Sequence, residues 1–234
     1  MILAVSIYLF DAGLLLYRNE AVLFPVRTGK YSVAFSPGWG QLFGRLVYLP
    51  NPFMPHKPVY RLSWQARAAP ASPVTGKPVW EETSRSLATL APFIWAMFLA
   101  LFVLLPVGLF TRVGNAALFA GIAVLYLNAM AVLVLLFRRR HQWGMTGKRF
   151  AAIAFESLVC IPCALNLVRK ISSAIPVRED LVEAGKRLLS PDDFRFMLGL
   201  VAAQVIEELD MEDAQSDRHR ELEAYRTRIT EAAR

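Results

Sequence analysis

The sequence predicts a membrane α-helical protein. Two transmembrane helices form a hairpin, within a possible total of four, and carry a small β-rich cytoplasmic module and a soluble helical C-terminal tail. Three observations lead there. Residues 87–110 and 116–137, 24 and 22 long, hold no charged side chain. As helices rising about 1.5 Å per residue, each is long enough for a hydrocarbon core of about 30 Å. The stretch joining them, Thr111-Arg112-Val113-Gly114-Asn115, is one short turn. The composition agrees: 55% of the 234 residues are hydrophobic and the mean hydropathy is +0.38, where soluble domains hold about 45–50% apolar residues.

Charge orients the hairpin. The net charge of +7 is unevenly spread. Residues 18–85 hold nine basic and three acidic side chains, 138–149 hold five basic and none acidic, and 169–234 hold eleven basic and fourteen acidic. Basic residues near transmembrane ends stay on the cytoplasmic side. Arg85 before the first helix and Arg138, Arg139, Arg140, Lys148 and Arg149 after the second therefore put both outer ends inside and the Arg112 turn outside. The same five residues are candidates for contact with anionic lipid headgroups, at about 1 kcal/mol each. Trp143 fits an interfacial anchor.

Taken in order, residues 1–17 are apolar apart from Ser6 and Asp11 and read as an N-terminal helix, transmembrane or lying in the interface. Asp11 within a bilayer costs about 2.5–3.5 kcal/mol on insertion scales and calls for a partner or for neutrality. The N-terminus lacks the basic start and small-residue cleavage site of a secretory signal.

Residues 18–65 form the module, with about four strands. Two runs, 21–26 and 31–35, flank Arg27-Thr28-Gly29-Lys30 as a hairpin. Ser36-Pro37-Gly38-Trp39-Gly40 is a turn. Two more strands, 45–49 and 59–64, flank a segment with four prolines in nine residues (50–58), which excludes regular structure there. So small a module has little core of its own. Residues 66–86 read as a linker rich in Ala, Pro and Ser.

After the hairpin (87–137) and the basic loop (138–149), residues 150–168 read as a further membrane or re-entrant helix containing Glu156, Pro162 and Asn166. Arg169 and Lys170 follow it, the wrong sign for an outside end. Residues 169–234 form an amphipathic helical tail. Leu181, Gly185, Leu188 and Leu189 share one face. Ser190-Pro191-Asp192-Asp193 is a helix start, with Ser as N-cap and carboxylates at the positive end of the dipole. Phe194, Met197, Leu198, Val201, Val205 and Leu209 then recur at helical spacing. Residues 213–234 read as a solvated terminal helix with Leu222, Tyr225 and Ile229 as a thin apolar stripe.

Few motifs carry chemistry. Cys160-Ile161-Pro162-Cys163 is a C-x-x-C pair, able to cycle between dithiol and disulfide, with Glu156 on the same helical face. Two cysteines cannot build a disulfide framework across loops. Ala117, Gly121, Val124 and Asn128 give the second long helix a face for packing within the hairpin or against a partner. Asp11 and Glu156 are the intramembrane polar candidates. His56, His141 and His219 lack metal-ligand spacing. Thr-Gly-Lys at 28–30, 75–77 and 146–148 never completes a phosphate loop, and Gly38, Gly40 and Gly44 do not make a dinucleotide fingerprint. The aromatics of the basic module alternate with turn-forming prolines, which does not favour nucleic acid.

The expected role is an accessory or scaffold subunit of a membrane complex, multi-pass, in a bacterial inner membrane. It would have no catalysis and no cofactor of its own, and its partners would be lipid and another membrane protein or a second copy. Two alternatives remain. One is a membrane thiol–disulfide oxidoreductase using Cys160 and Cys163. The other is a small transporter or channel subunit in which Asp11, Glu156 and Asn128 converge on a polar path.

Overall fold

Helices predominate, and the strands gather into two small antiparallel sheets. The structure, a computed structural model, describes residues 2–27, 30–36, 40–65, 79–111, 114–143, 145–175 and 179–233. The chain divides into two compact units. The first is Met1–Gly13, Leu49–Pro58 and Val79–Ile175; the second is Leu14–Tyr48, Val59–Pro78 and Pro176–Arg234.

The first unit is helical: α1 (Ile2–Ala12), α2 (Val79–Ala88), α3 (Ala91–Leu99), α4 (Leu105–Phe110), α5 (Gly114–Arg139), α6 (Gly147–Val159), α7 (Ile161–Ala164) and α8 (Leu167–Ser173). Its centre is the antiparallel pair made by α3–α4 and α5, the two helices long and apolar enough to cross a membrane. Pro106 explains the junction of α3 and α4. It has no N–H, and its ring crowds the carbonyl four residues back. One π-helical turn, Ala100–Leu104, absorbs the misfit, with the Leu105 N–H reaching back to the Ala100 carbonyl. Against this helix α5 buries Gly121, Leu125, Ala129, Val132, Leu133 and Leu136, a single stripe at helical spacing. Tyr8 of α1 sits edge-on to Phe98 and Phe102, with ring centroids 6.3 and 5.6 Å away.

The second unit layers two sheets and three helices. Strands β1 (Leu14–Leu16), β4 (Gln41–Leu42) and β5 (Arg45–Tyr48) pair in the order β1-β5-β4, and β2 (Glu20–Arg27), β3 (Lys30–Ala34) and β6 (Tyr60–Ser63) in the order β3-β2-β6. Strand β2 serves two cores. Val22 packs with Leu16, Val59, Leu14 and Tyr48 between the sheets. Ala21 and Leu23 share the opposite face with Val33, Tyr60 and Leu62 through the pairing register. Pro25 is tolerated in a central strand because β6 pairs no further than Leu23, and a bulge follows it. The β4–β5 turn is Phe43-Gly44, both at positive φ (53° and 73°), the two-residue turn suited to a hairpin. Helices α9 (Leu181–Leu188), α10 (Pro191–Met211) and α11 (Asp217–Ala232) complete the unit, with α9 and α10 against β3. Ser190 caps α10 by accepting the Asp193 N–H at 3.2 Å.

Several boundaries differ from the sequence reading. Residues 1–17, expected as one helix, form α1, which ends beside Gly13, and then strand β1, because 14–16 have an edge to pair with in β5. At eleven residues, α1 rises about 16 Å, short of a span. Helix α2 occupies the end of the expected linker 66–86; residues 66–78 lie outside the described residues. The 150–168 helix starts earlier, at Gly147 under a Thr146 cap, and breaks at Cys160. Trp143 is no interfacial anchor: it is buried in the helical core. The terminal helix is not solvated all round, since Leu222, Tyr225 and Ile229 are all buried. Helix α11 packs against α10, and Tyr225 has a partner missed in sequence, Trp64, which stacks on it at 5.6 Å.

Candidate functional site

The first unit contains a polar network built from three parts of the chain. Helix α1 brings Tyr8 and Asp11, the proline-rich segment Leu49–Pro58 brings backbone carbonyls, and α6–α8 with their junctions bring Glu156, Asn166, Arg169 and Lys170. Asn166 follows the short α7 and is fully buried. It donates through Nδ2 to the Tyr8 carbonyl and to Asp11 Oδ2, both at 3.0 Å. Arg169, 2% exposed, donates to the carbonyls of Asn51 and Met54 at 2.5 and 3.0 Å and to Asn166 Oδ1 at 3.3 Å. The Tyr8 hydroxyl donates to the Pro52 carbonyl. The guanidinium thus holds a segment whose prolines prevent it from satisfying its own carbonyls.

Lys170 joins the two carboxylates marked by the sequence. Its Nζ is 2.5 Å from Asp11 Oδ1 and 2.7 Å from Glu156 Oε1. Asp11 is the most buried of the three and Glu156 the most exposed. Asp11 therefore has both a cation and an amide as partners. Asn128 does not join them through its amide, which donates to the Val124 carbonyl of its own helix at 2.7 Å.

Cys160 and Cys163 adjoin this network. Helix α6 ends at Cys160, whose φ and ψ of −121° and 87° leave the helical region, and α7 begins with Pro162 in its first turn. The two Cα atoms are 5.3 Å apart and the sulfurs are joined as a disulfide. Cys163 is buried and Cys160 half-buried. Ligand atoms of Asp11, Glu156 and Cys163 lie within 4.8 Å of one another. That group does not fit a metal ion: the Lys170 ammonium already contacts both carboxylates, and the thiol is spent on the disulfide.

His56 also lies in this unit, its ring 5.5 Å from that of Trp95. Burial, then the charges of Lys57 and Arg169, hold its pKa below the usual imidazole value.

The remaining sequence candidates fall into place individually. Gly121 faces Leu105, where an added Cβ would sit 2.9 Å from Cδ2, and Ala117 lies where Gly108 meets the backbone of α5. The small-residue face is therefore in use within the hairpin. Gly108 escaped the sequence reading, although a Cβ there would meet the Leu118 nitrogen at 2.7 Å. Of the basic cluster, Arg138, Lys148 and Arg149 are exposed. Arg139 instead donates to the Ser86 carbonyl and hydroxyl and to Thr89 Oγ1, at 3.0–3.3 Å. Arg140 lies 3.9 Å over the Phe137 ring.

The second unit has a polar node of its own. Asp180 caps α9 through the Val182 N–H at 2.9 Å, accepts the Gln65 N–H at 3.1 Å, and takes the Tyr225 hydroxyl on both oxygens at 3.0 Å. Trp64 Nε1 donates to Gln204 at 2.9 Å. No protein-family model, curated protein or solved structure matches this chain.

Proposed function

We propose that the chain is an integral membrane protein, with α3–α4 and α5 crossing the bilayer as a hairpin, and that it serves as an accessory or scaffold subunit of a membrane complex. The observation supporting the membrane reading is the outer face of α5. Phe119, Ile122, Tyr126, Leu127, Met130, Val134 and Phe137 are all exposed, and no charged side chain interrupts them. A core helix of a soluble protein is mostly buried, yet 28% of each apolar stretch is buried here. So large a contiguous apolar surface needs a cover, and hydrocarbon is the cover that suits a face apolar along its full length.

Arg138, Lys148 and Arg149, exposed at one end of the pair, support a cytoplasmic location for that end and suit anionic headgroups. The subunit reading draws on what the polar networks do. Lys170 and Arg169 are engaged in holding segments together, and the second unit is a folded platform of two sheets and three helices. The partner is another membrane protein or a second copy of this chain.

Two measurements test this. Under alkaline carbonate washing the chain should remain with the membrane, and its release would end the membrane reading. A tagged chain extracted from its native host in mild detergent should elute with one stoichiometric partner or as a defined homo-oligomer. Elution as a lone monomer would end the subunit reading.

A further inference from the structure

We propose that Cys160 and Cys163 form a reversible dithiol–disulfide centre that exchanges two electrons with an external protein dithiol, with Lys170 as the positioning cation that bridges the two carboxylates next to the Cys163 sulfur. This goes beyond the subunit role and does not rest on it.

Three features of the first unit carry it. The backbone presents the two Cα atoms 5.3 Å apart, within the separation a disulfide needs. The bond is a poor staple, because the stabilisation from cross-linking grows with the loop closed, and this one spans a sequence separation of three. It ties α6 to the turn that already follows it. The surroundings are built: Cys163 lies within 4.8 Å of carboxylate oxygens of Asp11 and Glu156, and Lys170 sits 2.5 and 2.7 Å from those carboxylates. Two carboxylates alone would oppose a thiolate, and the one ammonium that bridges them offsets half of that charge.

The exchange balances as follows. A thiolate of the external dithiol attacks Cys160, the more accessible sulfur, and the Cys160–Cys163 bond breaks. Cys163 leaves as a thiolate and takes up a proton. The second thiol of the donor then attacks the donor sulfur of the mixed disulfide, releasing Cys160 as a thiolate that is protonated in turn. Two electrons and two protons pass from the donor, which becomes a disulfide. The reverse sequence oxidises a dithiol.

The test uses the full chain in mild detergent, equilibrated in graded mixtures of reduced and oxidised glutathione and trapped with a maleimide that shifts its mobility. The expected result is a reversible two-thiol transition with the fold retained. A pair that stays wholly reduced, or wholly oxidised until the protein is denatured, overturns the proposal. The second readout is the pH profile of iodoacetamide reaction on the reduced chain. Lys170→Met should slow alkylation at neutral pH about tenfold, one unit in thiol pKa, and Lys170→Arg should restore it. Glu156→Gln, at a half-exposed position, should speed it. Glu156→Gln also keeps the test open if Lys170→Met fails to fold, and a pH profile that it leaves unmoved overturns the role assigned to the cluster.

Discussion

The two units place their polar groups in opposite ways. In the second, the core is Leu16, Tyr60, Leu62, Trp64, Val201 and Tyr225, and ion pairs such as Arg18–Glu207 and Arg195–Asp192 lie at the surface, with Arg61–Glu20 the more covered exception. In the first, Thr83, Ser157, Asn166, Arg169 and Ser172 are buried, while the outer face of α5 presents Phe119, Leu127 and Val134. The second unit's arrangement suits water outside, since surface charges are solvated and the apolar side chains gain by hiding. The first unit's arrangement suits a surrounding that cannot solvate charge, where polar groups must find partners inside the protein. Opposite layouts in two units of one chain are what the proposed membrane reading requires.

The largest expected effect tests the inner half of that contrast. Arg169→Met removes a buried guanidinium and leaves the Asn51 and Met54 carbonyls and Asn166 Oδ1 without its hydrogen bonds. The expected loss is about 3–5 kcal/mol, as for breaking other buried charged networks. Arg18→Ala in the second unit breaks an ion pair whose two side chains are both more than half exposed, worth less than about 1 kcal/mol. Denaturant unfolding in detergent measures both. Similar losses from the two variants would mean that the first unit buries its charges no more strictly than the second.

The outer half is tested by placing one arginine on each unit. Leu127, 70% exposed, lies at the middle of α5, and Phe196, 63% exposed, lies on α10. In hydrocarbon, Leu127→Arg costs about 2.5–3.5 kcal/mol of insertion and should empty the membrane fraction. In water, Phe196→Arg should stay within about 0.5 kcal/mol. A Leu127→Arg chain that accumulates and fractionates normally would place water, not lipid, outside α5.

Local signals made much of the fold legible. Uncharged length marked the long helices, Ser190-Pro191 marked the start of α10, and the runs 21–26 and 31–35 flanking a glycine-tipped turn marked the β2–β3 hairpin. The spacing of Met197, Val201, Val205 and Leu209 identified a buried face correctly. What stayed illegible depends on distant partners. Asp11 reads as a costly charge until Lys170 and Asn166 arrive from more than 150 positions away. Arg169 reads as a topogenic charge, because nothing in its neighbourhood shows that the proline-rich segment needs a donor. Residues 14–16 are apolar enough to continue a helix, and only the edge of β5 makes them a strand. Gly121 was visible as a small residue in a repeating row, whereas Gly108 stands alone in its helix and matters because of a backbone on the other strand of the hairpin.

The smallest effect sharpens the comparison where the second unit comes nearest to the first. Asp180 gathers Gln65, Val182 and Tyr225, so the second unit also has a half-buried polar node. Tyr225→Phe keeps the stack on Trp64 and removes one hydroxyl donor, for an expected loss of about 1 kcal/mol at neutral pH. The pH dependence is the stronger signature. Burial, followed by the Asp180 carboxylate, pushes the Tyr225 hydroxyl well above its ordinary 10.0. The folded chain therefore keeps a proton that the unfolded chain releases, so this contribution is complete below pH 10 and declines as the pH rises past it. Stability measured from pH 9 to 11 should fall in the wild type and fall less steeply in Tyr225→Phe. Identical slopes would mean that the phenol ionises in place, and that the node is as well solvated as the surface around it.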